Sequence, residues 1–207
     1  MACASFALGA MLPWIPPASG DDHVEPTTPH VASAGLSARE QPAAPSPKPA
    51  EGIIAIGDKS LHHATPCLRK RDVDVHPRNI RSVDELRLVT ASLGRTYGAV
   101  LVHVTGLDNL VDGHIREVME MVPEGSRVVW VTVKRGGAAW GAFSSEDRIN
   151  ASIRNVVGRA SEGRVLDWRS ATERNPEWLL GDSGLSVSGC NAYAAMVVKL
   201  SGQTGKA

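Results

Sequence analysis

From residue 51 onward the sequence predicts an α/β domain of three layers, α/β/α, on a flavodoxin-like five-stranded parallel sheet in the order 2-1-3-4-5. Three observations predict it. The run Gly52-Ile53-Ile54-Ala55-Ile56-Gly57 is apolar, rich in β-branched residues and closed by the polar turn Asp58-Lys59-Ser60, the pattern of a buried parallel strand leading into a helix. Beyond it, short apolar runs alternate with amphipathic stretches, as in successive βαβ units. Before it, the chain has a different composition altogether.

Residues 1–17 form an apolar stub, Phe6 to Trp14 being its centre, with no basic segment ahead of it. Its pattern is that of a signal or of a membrane-segment remnant. Residues 18–50 are dominated by Pro, Ala, Ser and Thr, as in Pro42-Ala43-Ala44-Pro45-Ser46-Pro47. Such a stretch buries too little apolar surface to offset its ordering entropy and reads as a disordered linker. The domain itself is expected over 51–203.

Within the domain, strands are expected near 52–57, 72–75, 98–104, 127–133 and 164–167, and helices near 60–70, 82–94, 110–121, 145–159 and 188–200. Ser82-Val83-Asp84-Glu85 and Ser144-Ser145-Glu146-Asp147 supply a side-chain cap and acidic first-turn residues, which mark helix amino ends. A chain of 207 residues that is 43% hydrophobic can bury one good core. Its 22 basic and 22 acidic residues balance, which argues against a nucleic-acid or anionic-lipid partner; a monomer is expected. The three cysteines, Cys3, Cys67 and Cys190, form no metal-ligand cluster, so neither a metal nor a cofactor is implied.

In a sheet of this order, the carboxyl ends of the first and third strands lie side by side, and ligands gather outside such ends. The first ends at Gly57-Asp58-Lys59-Ser60, the third at His103-Val104-Thr105-Gly106 with Asn109 close behind, and the fourth at Lys134-Arg135. The loop before the last helix contains Asp182-Ser183-Gly184. These loops would line the cleft.

At these positions the chain resembles the SGNH-hydrolase superfamily, specifically the extracytoplasmic domain of bacterial membrane acyltransferases of the acyltransferase-3 type. Those proteins O-acetylate peptidoglycan or surface polysaccharide. The segments that carry the resemblance occur in the family's order over about residues 51–201. They are Ala55-Ile56-Gly57-Asp58, Val73-Asp74, Val100-Leu101-Val102-His103, Val129-Trp130-Val131-Thr132-Val133 and Val165-Leu166-Asp167-Trp168, then Asn175-Pro176-Glu177-Trp178-Leu179 and Gly189 to Tyr193. The resemblance implies a cell-envelope location, membrane-associated or extracytoplasmic, and a membrane acyltransferase part or a cell-wall glycan as partner.

The family's chemistry needs a serine nucleophile after Gly-Asp, a glycine amide and an asparagine as oxyanion donors, and a histidine base. Here those positions hold Lys59, Arg78, Leu107 and Gly184, the last shifting to Leu185 with the placement of a gap. An ammonium does not replace an activated hydroxyl, and Leu and Gly take no proton. The expectation is a catalytically inactive SGNH-like domain that binds or scaffolds. The alternative is an active acyltransferase or esterase using Ser60, with Asp182 as its remaining acid. A receiver-type domain is a third class, disfavoured because no acidic cluster closes the first strand.

Several residues carry two readings. Ser60 is either a first-turn cap or that fallback nucleophile, and Asp58 either braces the loop, as the resemblance implies, or meets a ligand. His62 and His63 sit about 100° apart on a helix, so at most one faces a cleft. His103 fits a hydrogen-bonded core position better than a catalytic one. Asp58, Lys59, Thr105, Asn109, Lys134, Arg135 and Trp140 are the ligand-binding candidates; with Arg78 the cations would make an anion pocket, and Trp140 would stack on a sugar. Cys67 and Cys190 fall on helices that flank one face of the sheet. They are either idle thiols or, in an exported domain, a disulfide.

Overall fold

The computed structural model describes residues 51–134, 142–181 and 184–202. The stub 1–17 and linker 18–50, together with Arg135, Trp140 and Asp182, lie outside the described residues.

The chain runs β1 (Ile53–Gly57), α1 (Ser60–Arg69), β2 (Val73–Pro77), α2 (Val83–Ala91), β3 (Ala99–His103), α3 (Asp112–Met121), β4 (Arg127–Val131) and α4 (Ala142–Val156). After a 3-10 turn at Val157–Arg159 come β5 (Gly163–Leu166), α5 (Trp168–Arg174), a second 3-10 turn (Pro176–Trp178), β6 (Leu179–Leu180), β7 (Gly184–Leu185) and α6 (Val187–Ser201). β1 to β5 form one parallel sheet in the order 2-1-3-4-5, and β6 pairs with β7 as a separate antiparallel ribbon. The expected fold class is the observed one.

Because side chains alternate along a strand, β1 feeds two cores. Ile54 and Ile56 join Val100, Val102 and Trp130 against Leu86 of α2, Ile115 of α3 and Ile149 of α4. Ile53 and Ala55 join Leu101, Val129 and Val131 against Leu61 of α1, Ala171 of α5 and Val197 of α6. Two-sided burial is why β1, β3 and β4 read as unbroken apolar runs.

The cap at Ser82 is real: its hydroxyl accepts from Glu85 N at 3.1 Å, while the Glu85 carboxylate accepts from Arg81 N at 2.6 Å. The second expected amino end differs, since α4 begins at Ala142, ahead of Ser144. α5 and the β6/β7 ribbon were not anticipated. α5 has only seven residues, too few to show a helical period, yet Asp167 caps it by accepting from Ser170 N at 3.2 Å.

A disulfide joins Cys67 of α1 to Cys190 of α6, with Cα atoms 5.8 Å apart. The two helices lie on the same face of the sheet, so the bridge ties the first helix to the last. No helix among the described residues is long and apolar enough to cross a membrane.

Candidate functional site at the carboxyl ends of β1 and β3

Asp58 is the centre of this edge of the sheet. It follows β1 directly, is almost fully buried, and its backbone amide donates to His103 O at 3.2 Å. One carboxylate oxygen accepts from Ser60 N (2.9 Å) and Ser60 Oγ (2.6 Å). The other accepts from Thr105 N (2.6 Å), Thr105 Oγ1 (3.1 Å) and Gly106 N (2.8 Å). Burial pushes the carboxyl upward, but the bonds from Ser60 and Thr105 outweigh it and hold the group below its ordinary value. Asp58 is therefore an ionised brace that locks the β3 loop to the start of α1.

The geometry needs glycine at position 57. A Cβ there would sit 2.2 Å from the His103 carbonyl oxygen, inside any permissible contact. The close passage of β1 against the end of β3 is what lets the Asp58 carboxylate reach the Thr105 and Gly106 amides.

Lys59 starts α1 in a helical conformation and is exposed. Ser60 is half-buried, and its hydroxyl is spent on Asp58. His62 and His63 are both exposed, and neither is bonded to Ser60. Arg78 is exposed, and its backbone amide donates to Gly57 O at 3.0 Å, so that donor is consumed by the chain itself. Leu107 is buried in the core on the α2/α3 face, whereas Asn109 is exposed. At Gly184 a Cβ would meet Leu180 O at 2.6 Å, so the ribbon as built has no room for any side chain there.

His103 sits beneath the corner, its Nδ1 hydrogen-bonded to the Tyr193 hydroxyl at 2.8 Å and its ring stacked on Tyr193. Burial lowers its pKa to about 4 against a weaker upward pull from Asp58, so the ring is neutral. Burial first, and Asp58 second, raise Tyr193 well above an ordinary phenol. Trp168 packs edge-on to Tyr193 and stacks on Trp178. Both tryptophans thus belong to the core side of the sheet.

Among the described residues, the expected cations have separate surroundings, Arg135 lying outside them. Lys134 lies 3.9 Å from Glu173, which also accepts from Arg169 Nε at 3.0 Å. Arg78 lines cavities along α2 whose walls include none of Lys59, Thr105 and Lys134. Thr105 is tied to Asp58. Among the described candidates, Lys59 and Asn109 remain exposed at the corner. No group of three or more metal-ligating side chains occurs among the described residues.

Two features were missed from sequence. Tyr193 is separated from His103 by 90 residues, and only the placement of α6 over β3 brings them together. Asn150 clamps the chain after β4, accepting from Val133 N at 2.7 Å and donating to Val133 O at 2.9 Å. A polar residue between Ile149 and Ile153 on a buried helix face was its available signal.

The fold and this edge define a three-layer α/β/α domain whose polar groups gather at the switch point of a parallel sheet. No family model matches the chain, and no curated protein sequence matches it. Among solved structures it is similar to the C-terminal catalytic domain of Streptococcus pneumoniae peptidoglycan O-acetyltransferase A (OatA), determined with a methylsulfonyl adduct. The identity is 16%, the TM-score 0.62, and the match covers 74% of this chain and 93% of that one. At this identity the likeness is one of fold.

Proposed function

We propose that residues 51–203 are an SGNH-like domain of the bacterial cell envelope that binds or scaffolds a cell-wall glycan and does not transfer acyl groups. The observation that carries this reading is the closed corner: the Asp58 carboxylate already holds five donors, Ser60 Oγ among them. For acyl transfer a hydroxyl must meet a proton acceptor and face an oxyanion site. Here the acceptor is an acidic carboxylate, the Arg78 amide is occupied, Leu107 is buried, and the base position holds either Gly184, with no room for a side chain, or Leu185, which takes no proton.

The envelope location is supported by the disulfide, which persists in oxidising compartments, and by fold likeness to a domain of a peptidoglycan O-acetyltransferase. In this scheme 1–17 is the signal or membrane remnant, 18–50 the spacer, and Lys59 with Asn109 the polymer-facing contacts.

The full chain, incubated with a chromogenic acetyl ester and a serine-reactive fluorophosphonate, is expected to give neither turnover nor a labelled serine. Labelling at Ser60, with turnover lost in Ser60→Ala, would establish the acyl-transfer alternative instead. Co-sedimentation with purified peptidoglycan that weakens in Lys59→Glu is the positive expectation. No co-sedimentation would sink the binding role.

A further inference from the structure

β2 is an edge strand, and its two faces are treated differently. Val73 and Val75 are buried against α1, whereas Asp74 and His76, on the other face, are exposed. In register beside them on that face are Ile54 and Ile56 of β1, 2% and 0% exposed. α2 covers β1 but leaves this side of β2 open, and a slot results between strand and helix.

The slot consists of two adjoining cavities that share Arg78 and Val89. One, of about 160 Å3, is lined by Ile54, Ile56 and Leu93 together with the polar groups of His76, Ser92 and Tyr97. The other, of about 280 Å3, is walled by Ile80 and by Leu88, itself 71% exposed. The charged neighbours are already engaged. His76 Nε2 lies 3.2 Å from Asp74, Glu85 accepts from Arg81 N, and Arg81 donates to the Asn79 amide oxygen once that amide is turned to accept. Arg78 makes no ion pair among the described residues. The Arg78 guanidinium thus stands where a largely polar cavity joins a largely apolar one.

We infer that this slot binds a small amphiphilic carboxylate, its head group paired with Arg78 and a short apolar chain laid along Val89 between β2 and α2. A guanidinium fork matches a carboxylate in two parallel hydrogen bonds. The aliphatic walls of the second cavity, Leu88 and Val89 above all, reward an aliphatic chain in proportion to the area it covers. The site shares no residue with Asp58, Ser60 or Lys59, and it stands whether or not the corner above β1 binds glycan.

Octanoate is the probe, titrated into the isotope-labelled full chain and followed by amide chemical shifts, with octanol as the uncharged control. The expected result is saturable shifts confined to residues 76–80 and 88–93, and weaker binding of octanol. Arg78→Ala, an exposed change that keeps the backbone amide, is expected to weaken octanoate by about tenfold or more. Val89→Trp, which fills the slot, is expected to abolish it. Equal binding by Arg78→Ala, or shifts elsewhere in the wild-type chain, would overturn the assignment independently of how Val89→Trp folds. Attachment to phosphatidylglycerol vesicles without a response to octanoate would overturn it too, by making the face a membrane contact.

Discussion

At Asp58 a single carboxylate organises two loops, and its replacement tests how much of the corner is electrostatic. Asp58→Asn keeps the shape but offers an NH2 group to a site built from donors, so either Ser60 or the Thr105 and Gly106 amides lose their acceptor. Charge-assisted bonds of this kind are worth about 1.5–3 kcal/mol each, and orphaned buried donors add to the loss. We expect Asp58→Asn to destabilise the domain by roughly 3 kcal/mol in chemical denaturation. Ser60→Ala, which removes one hydroxyl donor and leaves four bonds, should cost about 1.5 kcal/mol, the low end for such a bond because Ser60 is half-buried. If Ser60→Ala proved the costlier change, Asp58 would not be the brace described here.

His103 makes a second prediction at the same scale. Folded, it titrates at about 4; unfolded, it would titrate near 6.5. Between those values the unfolded chain holds the extra proton, so stability falls as pH is lowered through that window and is fully present above it. The slope from this residue is at most about 1.4 kcal/mol per pH unit. Unfolding measured from pH 7 down to pH 4.5 should show a slope that is reduced by up to that amount in His103→Gln. Identical slopes would mean that His103 is not buried neutral.

Among the elements, those with a period or a cap were legible and those defined by contact were not. β1, β3 and β4 announced themselves as apolar runs because both faces are covered, and α2 through the Ser82/Glu85 pair. α5 and the β6/β7 ribbon are too short to carry a period, and their places are set by what they touch. The site divides in the same way. Asp58 as a brace was legible through the family resemblance of the Gly57-Asp58 turn, while Tyr193 behind His103 and the Glu173 partner of Lys134 depend on chain segments meeting across the fold. Position 57 shows how far an element depends on one residue. Gly57→Ala puts a Cβ against the His103 carbonyl, and neither β1 nor β3 can move without breaking ladder bonds. A loss of roughly 3 kcal/mol or more is expected, seen as a lowered Tm. A near-neutral result would require the strands to be farther apart than they are.

At the scale of the domain, the Cys67–Cys190 bridge links the first helix covalently to the last, closing a loop with a sequence separation of 123. It binds α1, which carries the Lys59–Ser60 turn, to α6, which carries Tyr193. A loop of this size, if left open, adds chain entropy to the unfolded state, and bridges of this kind are worth about 2–5 kcal/mol. Cys67→Ser combined with Cys190→Ser should lower stability by that order, and reductant should do the same to the wild-type chain and nothing to the double variant. Protein recovered from an oxidising compartment should resist alkylation at both cysteines until reduced. Free thiols at both positions in such protein would remove the bridge, and with it one of the two supports for an extracytoplasmic domain. The corner at Asp58 would survive that result, since all five of its bonds come from Ser60 at the start of α1 and from Thr105 and Gly106 in the loop after β3.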